Sequence, residues 1–327
     1  MAESTAIRVG AQSLVFDAME WRQNEFLESG RQTGHAIWSA SQLLIDYIHS
    51  HSADLVKDRT VLEIGCGLGV CGAAAVALGA SHVTLTDGDP DILTKVRRCA
   101  IANKQWLPAD TQVYESTSAN GHTRMLIDEL RWGEADSENR ARKLVAAQPL
   151  DLFLASEVLY GFPDTAIEHC EQDAVPAGLA ARFKQHAETI SSSLLAAAAS
   201  SSSSSSSDCS IFNHPDSSSQ SESQSADLEP SSDCLDVRIV RLFRLADCLM
   251  GPKTVFLLAF ENRGEVALED IYRAAASFGF SCRIPSEPQD ECCQDIFMNR
   301  THQMTDLWKQ CLLRLERLPE PIAPSVA

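Results

Sequence analysis

The chain has 327 residues, room for one large α/β domain or two small ones. Its 27 basic and 45 acidic side chains leave a formal charge of −18, which argues against a nucleic-acid scaffold, because phosphate binding needs a net basic face. The 11 cysteines contain no CxxC spacing, so they read as reduced thiols of an intracellular protein rather than a disulfide framework. The opening MAESTAIRVG has neither a basic n-region nor an apolar h-region, so no signal peptide is expected. Residues 61–80 could mimic a membrane span by their apolar content. Glu63 and the glycines, with Asp87 and Asp89 close behind, divide that stretch instead into strand, loop and helix.

In chain order, residues 1–58 read as an N-terminal extension or cap. Within it, Ile37, Trp38, Leu43, Leu44, Tyr47 and Ile48 predict an amphipathic helix over Ala36–His49. An alternating pattern follows and constitutes one domain, 59–327. Residues 60–65 predict a buried strand, Gly69–Leu78 a helix stopped by Gly79, and 82–87 a second strand. Pro90 opens a helix reaching about Asn103. Residues 124–130 and 151–156 predict further strands, the latter apolar enough to be covered on both faces. Residues 177–198 read as helical. A serine-rich insertion at about 199–233 cannot bury enough apolar surface to fold, so disorder is expected there.

Beyond it, Val237, Val240, Phe243 and Ala246 mark one face of a helix, while Arg238, Arg241 and Arg244 line another, read as solvated, with a docking site for an acidic partner as the second reading. Residues 254–260 predict a strand, 267–278 a helix stopped by Gly279, 281–284 and 296–298 weaker strands, and 304–318 a final amphipathic helix. Strands alternating with helices imply a doubly wound, mostly parallel sheet, which binds ligands beyond the carboxyl ends of its strands.

The chemistry concentrates in Glu63-Ile-Gly65-Cys66-Gly67-Leu-Gly69, between a strand and a helix. Gly67, Gly69 and Gly72 satisfy GxGxxG, and Asp87 lies 20 residues beyond Gly67, at the end of the next strand. A dinucleotide and a sulfonium nucleoside both fit that outline. Glu63 would repel a pyrophosphate and suits a cationic ligand such as S-adenosylmethionine, and Asp87 can accept hydrogen bonds from ribose hydroxyls in either case. No metal-binding spacing and no GxSxG elbow occurs in the sequence.

Four blocks carry a resemblance: Thr33-Gly-His-Ala-Ile-Trp38; VLEIGCGLG with Thr86-Asp87; Leu130-Arg-Trp132-Gly133; and Ser156-Glu157-Val-Leu-Tyr160. With them the chain resembles the Rossmann-like, seven-stranded class I methyltransferases of the METTL21 type (methyltransferase family 16), which modify protein lysines. The resemblance implies S-adenosyl-L-methionine as cofactor. It puts Trp38 near the methionine end, Gly65, Cys66 and Gly67 against the methionine and ribose, Asp87 on the ribose hydroxyls, Trp132 beside adenine and Ser156 beside the cofactor. The fourth block departs from the family's Asp-x-x-Tyr, with Glu157 in place of aspartate. Glu157 is expected to orient an incoming ammonium and Tyr160 to position the neutral amine; Phe162 reads equally as a channel wall or as packing.

The partner expected is a lysine-bearing, non-histone protein, with no nucleic acid and no membrane. A monomer and a cytoplasmic location are expected, with the nucleus as the second compartment. Histidine-directed or small-amine methylation, a non-catalytic methyltransferase-like interaction module and a NAD-dependent oxidoreductase are the other readings.

Overall fold

The computed structural model describes residues 3–10, 12–18, 33–103, 107–108, 113–118, 121–159, 235–262, 266–285 and 309–319. It opens with an antiparallel hairpin, β1 (Glu3–Val9) and β2 (Gln12–Ala18). Gly10, at φ 57°, makes the turn, and the alternate side chains Ile7, Val9, Leu14 and Phe16 are buried. The outer edge of β2 is closed by a side chain: Asn103 accepts from the Val15 amide at 2.7 Å and donates to the Val15 carbonyl at 2.9 Å. The N-terminal extension expected from sequence to be helical thus also contains a hairpin, which the sequence reading did not place. Its helical part is α1 (Ser39–Ser50), with a short α2 (Ser52–Leu55) behind it.

The alternating region supplies β3 (Thr60–Ile64), α3 (Val70–Ala77), β4 (His82–Asp87), α4 (Pro90–Ala102), β5 (Leu107–Pro108), β6 (Val113–Ser118), β7 (Gly121–Glu129), α5 (Ala135–Ala147) and β8 (Leu152–Ser156). After the insertion come α6 (Val237–Leu249), β9 (Val255–Asn262), α7 (Leu268–Ser277), β10 (Phe280–Arg283) and β11 (Lys309–Arg317). One nine-stranded sheet runs β10-β11-β9-β8-β3-β4-β7-β6-β5. Strands β7, β4, β3, β8 and β9 are parallel, β11 is antiparallel to β9, and β6 and β5 extend the far edge beyond the seven-stranded core.

Side chains of the central strands alternate between two cores. Val61, Val83, Leu85, Ile127 and Leu154 face α1, α3, α4 and the hairpin; Leu62, Ile64, Phe153, Phe256 and Leu258 face α5, α6 and α7. In the second core Phe153 and Phe256 lie with ring centroids 4.5 Å apart. No described helix is long and apolar enough to cross a membrane, and the stretch 61–80 is strand, glycine loop and helix.

The expected C-terminal helix is a strand. Leu312 packs into the first core while Leu313 and Leu315 pack into the second, an alternation that only an extended chain between two covered faces produces. Its Lys, Gln, Leu, Arg and Glu residues favour a helix in isolation, and pairing with β9 on one side and β10 on the other overrides that preference. The helix read at 177–198, the serine-rich insertion, the strand at 296–298, Tyr160 and Phe162 lie outside the described residues.

Leu313 is fully buried at the centre of β11. Replacing it with alanine lowers unfolding free energy by about 2–5 kcal/mol in urea titrations; a loss under about 1 kcal/mol would show that β11 does not pack as described.

Candidate cofactor and catalytic site

Parallel register brings the functional side chains to one edge. Ile64 pairs with Thr86 and with Ala155, Asp87 pairs with Glu129, and Ser156 pairs with Ala259, so the carboxyl ends of β3, β4, β7, β8 and β9 stop at nearly one level. The chain winds from β3 outward through β4 to β7, then returns to place β8 on the other side of β3. That reversal is where open α/β sheets carry their crevice. Here it opens into a cavity of about 600 Å³, within the range of small-ligand sites.

The floor is the glycine loop. Gly65, Gly67 and Gly69 all have left-handed φ, at 55°, 51° and 74°. A Cβ on Gly65 would lie 2.8 Å from Val158 Cγ1, and one on Gly67 would lie 3.1 Å from the Gly34 carbonyl, so the Thr33–Trp38 segment passes directly over the loop. Two carboxyl groups hold the loop from either side. Glu63 Oε2 accepts the Gly72 amide at 2.7 Å, which satisfies a donor in the first turn of α3, whose N-cap Gly69 offers no side chain. Asp87 Oδ2 accepts the Gly67 amide and Oδ1 the Asp89 amide, both at 3.0 Å. Burial raises the Asp87 carboxyl above its ordinary range, against the pull of those amides. Glu63 is more deeply enclosed, and burial pushes it up to about 8 despite the Gly72 bond. Burial likewise drives the Cys66 thiol well above its usual value, so Cys66 serves the loop as a small neutral wall.

Trp38, Glu63, Gly65, Cys66, Gly67, Asp87, Trp132 and Ser156, each predicted from sequence, all line this cavity, and so does Glu157. Trp38 donates its indole N–H to the Thr33 carbonyl at 2.9 Å, which fixes the ring at one end. Ser156 shares a hydroxyl–hydroxyl bond of 3.0 Å with Ser41 of α1. Glu157 has φ 54°, a conformation rare for a long side chain and concentrated at functional positions. Its amide donates to the Ala259 carbonyl at 2.8 Å and its Oε1 accepts the Glu261 amide at 3.2 Å. That carboxyl thereby links the end of β8 to the end of β9.

The sequence reading missed Arg238 and Arg241. It assigned them to a solvated face, but both line the cavity beside Trp132. The i, i+3 spacing announced a shared face; what that face meets depends on how α6 lands on the sheet, which periodicity does not encode. Ser41 and Ile92 were missed as well, and no motif marked them. Among the described residues no group of three or more His, Cys, Asp and Glu converges as metal ligands.

This sheet order, with a glycine loop after β3 and an acid ending β4, defines the Rossmann-like fold of the class I methyltransferases. Residues 22–167 match the model of the lysine methyltransferase family. The chain is 27% identical over 135 residues to the protein N-terminal and lysine N-methyltransferase EFM7 of Yarrowia lipolytica, covering 41% of this chain and 49% of that one. With the protein N-lysine methyltransferase METTL21A of Danio rerio it shares 28% over 124 residues, 38% and 47% of the two chains. A 60-residue stretch is 43% identical to an efm7 protein of Neurospora crassa, 18% and 21% of the two chains. The chain thus spans about half, or less, of the length of these relatives.

Glu63 keeps its proton to about pH 8 in the folded protein, whereas the unfolded chain releases it near 4.5. The folded state therefore binds the extra proton across that window. The stability Glu63 confers is complete below about pH 4.5 and is lost as pH rises toward 8. Glu63→Gln, which can still accept the Gly72 amide, removes the dependence. Urea unfolding from pH 4.5 to 8.5 should show the variant gaining on the wild type as pH rises, and parallel curves would overturn the buried-proton assignment.

Proposed function

We propose that this protein is an S-adenosylmethionine-dependent methyltransferase that modifies an amine, most directly a lysine side chain, of another protein. The observation that carries the reading is the cavity itself: a left-handed glycine loop, the ribose-ready Asp87, and two tryptophans, Trp38 and Trp132, in its lining. The family match and the names of the relatives support the protein substrate.

The residues present fit such a cofactor. The loop glycines lie where a Cβ would fill the crevice floor, and Asp87 offers acceptor oxygens on its edge. Bound there, S-adenosylmethionine supplies a methyl group already activated on a sulfonium. What remains for the protein is alignment and desolvation. A lysine amine is neutral at pH 7 only at a cost of about 4–5 kcal/mol. The Val158 side chain, which lines the cavity, lowers that cost by disfavouring the ammonium, while the Glu157 carboxyl, braced by the Glu261 amide, attracts it first. Tyr160, next along the chain, positions the neutral amine.

Calorimetry with S-adenosylmethionine against NAD, followed by labelled methyl transfer into cell lysate and mass spectrometry of modified lysines, tests the reading. Binding of the methyl donor alone and label in protein are expected; binding of NAD, or donor binding with no label, would reject it. Glu157→Ala and Tyr160→Phe should keep donor affinity within about twofold and reduce transfer by about 10²-fold or more. Unchanged turnover in both would remove their assignment.

A further inference from the structure

Three arginines converge where the cavity meets Trp132: Arg131 in the loop after β7, and Arg238 and Arg241 on consecutive turns of α6. They are not equivalent. Arg131 turns outward, its Nε 2.7 Å from Glu129 Oε1, with its side chain 45% exposed. Arg238 is gripped by Asp236, which caps α6 through the Arg238 amide and meets the guanidinium Nε with both carboxylate oxygens, at 3.0 and 3.1 Å. Arg241 passes close to the turn after Trp132. A Cβ built on Gly133 would sit 3.4 Å from its Nε and 3.7 Å from its Cζ, and Gly133 has φ 83°, a turn that glycine makes without strain. On the loop side of the same turn, Trp132 Cζ2 lies 3.8 Å from the Cβ position of Gly65. Ring, glycine and guanidinium therefore make one continuous wall between the glycine loop and α6.

That wall has a chemistry the rest of the cavity lacks. Asp87 and Asp89 are acceptors, matched to hydroxyl groups. A purine ring presents in-plane acceptor nitrogens, which need donors, and a flat face, which needs an aromatic or guanidinium plane. Resting on the methyl-donor reading above, we infer that Arg241 is a cofactor-contacting residue that donates to the adenine ring of the bound nucleoside, with Trp132 against the base and Arg238, anchored by Asp236, as its support.

The test is calorimetry on the full chain with three probes: S-adenosylmethionine, S-adenosylhomocysteine and 5′-deoxy-5′-methylthioadenosine, the last without an amino-acid carboxylate. Arg241→Ala should raise the Kd of all three by a common factor of about ten. Arg241→Lys, which keeps the charge and loses the planar fork, should recover only part of that. Arg244→Ala, in the same row and outside the cavity lining, should change nothing. Alanine is a good helix former, and a thermal melt of each variant verifies that α6 still folds. An unchanged Kd in Arg241→Ala, or an equal loss in Arg244→Ala, overturns the inference. A loss confined to the two probes with a carboxylate also overturns it, by moving Arg241 to the amino-acid end. A wild-type protein that binds none of the three fails the methyl-donor reading itself, a separate result.

Discussion

Glu63 and Asp87 reach the glycine loop from adjacent strands, and most of the site's geometry follows from that double attachment. Glu63 ties the loop's far end, through Gly72, to the end of β3, and Asp87 ties Gly67 to the end of β4. Between these points the backbone runs through successive left-handed glycines that no side chain could replace without striking Val158 or the Gly34 carbonyl. Gly72 is constrained as tightly: a Cβ there would collide with Leu85 Cδ2 and lie 2.8 Å from Glu63 Oε2. The loop is thus held by its neighbours as well as by its own Gly69-to-Cys66 backbone bond, and α3 gains from Glu63 the N-terminal acceptor that its glycine cap lacks.

The same contacts assign Glu63 a different task from the one its position in sequence suggests. A carboxyl before a glycine turn reads as a counter-charge for a cation. In the folded chain it is enclosed, bonded to an amide and pushed toward its neutral form by burial. The two roles are compatible because they differ in protonation: the neutral group braces the loop, and a cation beside it would favour the ionised one. Glu157 shows a parallel economy. Its left-handed φ costs on the order of 1–3 kcal/mol, offset by an amide bond to Ala259 and a carboxyl bond to Glu261. Glu261 in turn pairs with Ser39 at the start of α1, so the acidic corner is fastened to the helix that carries Trp38 and Ser41.

Much of this was legible in the sequence where local pattern and tertiary placement agree. Strands β3, β4 and β8 are short apolar runs ending in a glycine or an acid, and such strands are buried on both faces in a parallel sheet, so composition and position point the same way. The glycine loop and Asp87 follow from backbone chemistry that any sequence at that turn must satisfy. Legibility failed where a partner decides. Residues 309–317 are helix formers by propensity and a strand by virtue of two neighbours. Residues 3–18 bury alternate side chains, a period-2 signal blurred in sequence by the apolar run Leu14-Val15-Phe16, and the two-stranded ribbon is stable only because α1, α3 and α4 cover its inner face. Arg238 and Arg241 have the spacing of a solvated row and become cavity wall because α6 lies with that side toward the strand ends.

These contacts give the cavity an axis. One end, at α1, β8 and β9, has Trp38, Ser41, Ser156 and Glu157, a corner of hydroxyl and carboxyl oxygens; the other, at β7 and α6, has Trp132 flanked by guanidinium groups. Two of those guanidinium groups, Arg131 and Arg238, face Glu129 and Asp236 there. A ligand with a cationic centre and a base rich in acceptors matches that axis in one orientation only, since reversal would set the cation against arginines and the base against carboxylates. The polarity arises from topology: Ser156 and Glu157 stand at the end of β8, between β3 and β9, while the arginines arrive on the loop after β7 and on α6, which lies between β8 and β9 in the chain. Orientation in this site is therefore a property of the sheet order, with the side chains marking its two ends.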